Sequence, residues 1–177
     1  MTLQFSNLTF RNDADGRVGP EEIEVLRQLG WEQGRMSPDD AETLFATNET
    51  LTETNPEWHC FFVAALSNFI VNTVDPAGLV DQEMADELVS RIDRDGRVAT
   101  LAELDLLVRV LELSKSHPES LRAYALRQIA AAVEQGDGPT RQSGSAETGI
   151  NASEVALLER VLFGCQSKGV EQLGPKE

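Results

Sequence analysis

The chain has 177 residues, enough for one domain with a sizeable core, and its 41% apolar and 25% charged content is ordinary for a globular protein. Charge is the outlier, since 30 acidic against 15 basic side chains give a formal net charge of −15. Such a surface repels phosphate, so nucleic acid and anionic membrane are not the expected partners, and cations or basic and amphipathic proteins are favoured.

Helical periodicity dominates, and the helix starts are well marked. Gly19-Pro20-Glu21-Glu22 opens a first helix, with Pro in the first turn and acids at the positive end of the dipole. Ile23, Leu26 and Leu29 line its apolar stripe, and Trp31 just beyond it is read as a core plug, with an exposed interface anchor as the alternative. Ser37 caps a second helix that turns Leu44 and Phe45 inward. Asn55-Pro56-Glu57 opens a third, in which Trp58, Phe61, Phe62, Ala65, Leu66, Phe69, Ile70 and Val74 fall at helical spacing. An apolar surface over most of its circumference marks this helix as the central one of a bundle. A fourth, from Asp81, buries Met84, Leu88, Val89 and Ile92. Thr100 and Glu103 form a capping box for a fifth, through Leu104, Leu107, Val108 and Leu111. Pro118 starts a sixth, with Leu121, Tyr124, Ala125, Ile129 and Val133 inward. Residues 135–148 are rich in Gly, Ser and polar side chains and read as a flexible loop. Asn151 and Glu154 then box the start of a seventh helix, with Val155, Leu158, Val161 and Leu162 inward. No alternating stretch suggests a sheet. The expectation is a single all-α domain over 1–177, a bundle of about seven helices.

Compartment signals are few. Met1 to Phe10 lacks a basic segment followed by an apolar stretch, so no leader is visible and the expected location is cytoplasmic. The most apolar run, Cys60 to Val71, is about half of the roughly 20 residues that span a bilayer. It reads as a buried helix, with Cys60 an inert buried thiol. Two cysteines make no disulfide framework, and the glycosylation sequons at Asn7, Asn48 and Asn151 carry no weight without secretion.

The chain also repeats itself. Asp13-Ala14-Asp15-Gly16-Arg17-Val18 recurs eighty residues on as Asp93-Arg94-Asp95-Gly96-Arg97-Val98. Each glycine is followed 22 residues later by a helix-opening proline, Pro38 or Pro118. This spacing predicts a duplicated multi-helix unit, roughly 11–90 and 91–173, whose second copy lacks the Trp58 helix. Leu173-Gly174-Pro175-Lys176-Glu177 echoes the start of the first helix, so a further repeat would begin where this chain stops. A last helix that completes the first loop of another copy would give head-to-tail self-association.

The repeated motif resembles an EF-hand calcium loop, which supplies oxygens from positions 1, 3, 5, 7, 9 and 12 around a glycine at 6. In the first copy Asp13, Asp15, the Arg17 carbonyl and Glu22 fall at ligand positions, but Arg11 stands at the first. In the second, Asp93, Asp95 and the Arg97 carbonyl fit, while Arg91 stands at the first position, Ala102 takes the twelfth and Glu103 comes one residue late. No cofactor is required, and Ca²⁺ is the cation such loops would take. The alternative is structural: Asp-Gly turns that aim a helix and insert Val18 or Val98 into the core. The same residues, Asp15-Gly16-Arg17-Val18 with Glu22 and Asp95-Gly96-Arg97-Val98 with Glu103, resemble the TerB family of bacterial tellurite-resistance proteins. That resemblance covers about a tenth of the chain, and implies a cytoplasmic, non-enzymatic helical protein acting as a metal or stress-response adaptor.

Catalytic constellations are nearly absent. His59 and His117 are the only histidines, and adjacent helical residues such as His59 and Cys60 do not face each other. Zinc-ligand spacing and phosphate-cradling Gly-rich loops are both missing. Acid pairs such as Asp39/Asp40 and Asp86/Glu87 read as solvated helix faces. The expected function is a non-enzymatic interaction module for a basic or amphipathic protein, with calcium binding as the alternative.

Overall fold

The computed structural model describes residues 18–51, 55–73, 75–141 and 149–164. They form seven α-helices: α1 (Pro20–Gln28), α2 (Pro38–Thr50), α3 (Pro56–Asn68), α4 (Gln82–Ile92), α5 (Leu101–Leu113), α6 (Glu119–Gln135) and α7 (Ala152–Phe163). The architecture is an all-α bundle. Ser37, Asn55, Asp81, Thr100 and Asn151 each cap a helix through a side-chain oxygen that accepts a backbone N–H three residues on.

Two helices share the centre. Along α3, Trp58, Phe61, Phe62, Ala65 and Leu66 are fully buried, and the Phe62 ring meets Phe45 of α2 edge-on at 5.8 Å. Each Phe buried this way contributes about 2 kcal/mol of transfer free energy. Opposite lies α5, buried on nearly every side through Leu104, Leu106, Leu107, Val108, Val110 and Leu111. A short 3₁₀ turn at Trp31–Gln33 packs Trp31 into this core. The end of α3 widens into a π turn, Phe69–Thr73.

Several details depart from the sequence reading. A two-stranded hairpin, β1 (Asp93–Arg94) and β2 (Arg97–Val98), joins α4 to α5. Cys60 is exposed rather than buried, because α3 turns Phe61 and Phe62 inward and leaves position 60 facing out. On α7 the buried face is Glu154, Leu157 and Val161, one residue round the helix from the expected stripe. Val155 and Leu162 are exposed as a result. Asn48, read only as a sequon, is buried: its Oδ1 accepts the Trp58 indole N–H at 3.1 Å.

The order of elements after each Asp-Gly-Arg-Val run is alike, a helix and then a proline-led helix. Their surroundings differ, since α1 buries only Ile23 and Leu26 while α5 is enclosed. No helix among the described residues is long and apolar enough to cross a membrane.

Candidate functional site

Of the residues expected to hold a cation, Asp13, Asp15 and Arg17 lie outside the described residues. Glu22 is placed, and its Oε2 accepts the Gly19 N–H at 2.7 Å, closing the first turn of α1. The second loop, residues 91–103, is described in full. Asp95 and Gly96 both have positive φ, 55° and 85°, which with Asp93↔Val98 and Arg94↔Arg97 pairing defines a type I′ hairpin turn. Asp93 has other commitments: Oδ1 accepts the Gly96 N–H at 2.8 Å and Oδ2 accepts the Tyr124 hydroxyl at 2.7 Å. Burial and this carboxylate together hold the Tyr124 phenol protonated well beyond its ordinary range.

Asp95 and Arg97 point to solvent, while Glu103 is buried and caps its own helix, its Oε2 accepting the Thr100 N–H at 3.1 Å. Burial raises the Glu103 pKa, against the pull of Thr100 and of Arg94, whose guanidinium stands 3.8 Å away. Among the described residues, no group of three or more His, Cys, Asp or Glu is placed to hold a metal ion. Val18 and Val98 are both buried. An amide side chain ties each to the core: Asn55 Nδ2 donates to the Val18 carbonyl at 2.7 Å, and Gln128 Oε1 accepts the Val98 N–H at 3.0 Å.

A charged network stitches α3, α5 and α7. His59 Nε2 lies 2.8 Å from Asp105 Oδ2, and Arg160 bonds Asp105 and both oxygens of Glu112. Burial pushes the Asp105 carboxyl up, but His59 and Arg160 outweigh it and hold the pKa below its usual range. For Glu112 the Arg160 hydrogen bonds dominate, with the same result. A second cluster anchors α7. The buried Glu154 carboxylate accepts from Arg141 Nε at 2.8 Å, from the Thr140 hydroxyl at 2.8 Å and from the Asn151 N–H at 2.9 Å. These networks are made of charges that satisfy one another, with no nucleophile set against a base.

A groove between α2 and α4 is different in kind. Pro38, Ala41, Glu42 and Phe45 line it from α2, at the i, i+3, i+4, i+7 spacing of one helix face. Met84, Glu87, Leu88 and Arg91 line it from α4 at the same spacing, and Phe69 and Ile70 of the π turn form its end. Its cavity of about 140 Å³ has an apolar floor with Glu42 and Glu87 on its rim. Asp39, Glu83 and Asp86 add exposed carboxylates on the same two helices, and Asp81 adds one at the cap of α4. Glu87, read from sequence as a solvated face, is thus a rim residue of the groove. The matched spacings on α2 and α4 were available in the sequence, but only the fold sets them face to face. No protein-family model matches this chain, nor does any curated protein or solved structure.

Proposed function

We propose that the protein is a non-enzymatic interaction module that docks a basic, amphipathic segment of another protein in the groove between α2 and α4. The observation that carries this reading is an apolar cavity framed by exposed carboxylates on a chain of net charge −15. An amphipathic helix laid into a hydrophobic groove supplies apolar anchors to the floor, and its basic flanks meet the acidic rim. Electrostatic complementarity of this kind speeds encounter and selects against acidic partners. Calcium binding at the second loop has less support, because Asp93 and Glu103 already serve as turn and cap acceptors.

The probe is a synthetic helical peptide with Arg on one face, Leu on the other and one central Phe. Calorimetric titration at low salt should show binding that Glu42→Lys with Glu87→Lys weakens at least about tenfold, the loss of two charge contacts. Glu24→Lys with Glu134→Lys makes the same charge change outside the groove and should cost far less. Equal weakening by the two pairs, or none by the first, contradicts the assignment of the site.

A further inference from the structure

Arg91 sits in the groove in a way that specifies what would replace it. Its guanidinium carbon stands 5.9 Å from the centroid of the Phe45 ring, within cation–π range. One terminal nitrogen pairs with Glu42 across the groove, and the other lies 3.5 Å from Glu87 Oε1 on the same helix. An arginine is thus held over an aromatic face between two carboxylates whose side chains are 58% and 66% exposed.

We infer that Arg91 is an internal stand-in for an arginine of the docking partner. The partner is then a basic amphipathic helix whose arginine displaces Arg91 from Phe45, Glu42 and Glu87, while a neighbouring aromatic side chain enters the cavity. This rests on the reading of the groove as the docking surface, and adds to it the residue type recognised and the element that yields. Arginine is preferred to lysine because its planar guanidinium stacks on a ring and presents a fork of donors to flanking carboxylates. The cavity, at about 140 Å³, suits one ring, since a hydrophobic cavity of roughly 150 Å³ holds benzene. Residues four apart on a helix share a face, so one turn of a partner can offer both the guanidinium and the ring. Arg91 is also free to leave. It is about one-third exposed, and exposed ion pairs hold weakly in water.

The test is calorimetric titration of the full chain with the Arg–Leu–Phe peptide and with an analogue carrying Lys in place of every Arg. Arg91→Gln removes the internal competitor and should tighten the Arg peptide by about three- to tenfold, with a smaller gain for the Lys peptide. Arg91→Lys, which keeps the charge but loses the fork, should fall between wild type and Arg91→Gln. Arg27→Gln makes the same charge change as Arg91→Gln away from the groove, and should alter affinity by less than about twofold. Wild-type binding that Arg91→Gln leaves unchanged would overturn the stand-in role while leaving the docking site in place. Equal tightening by Arg27→Gln would also overturn it, because long-range charge would then explain the gain. Absence of binding to every variant overturns the docking site as well.

Discussion

Gln128 shows how much of this structure hangs on single amide side chains. From α6 it accepts the Val98 N–H and donates to the Gly96 carbonyl at 3.0 Å, holding the turn and the strand that leaves it. Truncation to Ala leaves a buried N–H without a partner, a loss of about 1–3 kcal/mol. Urea denaturation of Gln128→Ala should show that drop, whereas Gln128→Glu, which keeps the acceptor, should lose less. Equal losses in the two variants would mean that the Val98 bond contributes little. The sequence marked Val18 and Val98 as core residues because they follow Asp-Gly turns and precede helices. It did not mark Asn48, although Ala41, Leu44, Phe45 and Asn48 share one helical spacing and are all buried. Nor did it pair His59 with Asp105, which stand 46 residues apart. Local chemistry writes a cap or a turn into four to six residues, while a partner chosen by tertiary packing leaves no local trace.

At the scale of elements, helix starts were legible because capping is local, and the face each helix buries was legible where apolar residues decide it. On α7 they did not. Val155, Leu158 and Leu162 offer a stripe as good as the real one, but Glu154 is drawn in by Arg141, and the buried face rotates by one residue. Docking of α7 on α5 then rests partly on charge, which gives a pH signature. The lowered pKa values of Asp105 and Glu112 mean that their ionised forms favour the folded state. That contribution is complete above the unfolded carboxylate range and is lost as pH falls through the lowered folded values. Glu103 runs the other way, since its raised pKa makes ionisation costly in the fold and acid relieves that cost. Arg160→Gln should therefore destabilise the protein most near neutral pH, and its deficit in urea midpoint should shrink below about pH 4, where carboxylates protonate. A deficit that stays constant from neutral to acid pH would contradict this linkage.

At the scale of the whole molecule, net charge was legible from composition alone and already pointed to cationic partners. The groove where we propose that this charge acts was not, because it is assembled from α2, the π turn of α3 and α4, with no contiguous motif. Among the described residues, the groove and the outer stripe of α7 both present apolar side chains to solvent. The groove alone combines a ring-sized cavity, a framing pair of carboxylates and a guanidinium already seated between them. The most direct test of that choice is to follow backbone amide resonances of the full chain by NMR during titration with the Arg–Leu–Phe peptide. The largest shifts should fall on residues 38–45, 69–70 and 84–91, saturate together and weaken as salt rises. Shifts centred on Val155, Leu158 and Leu162, or spread evenly over every acidic helix, would contradict the assignment of function to the groove.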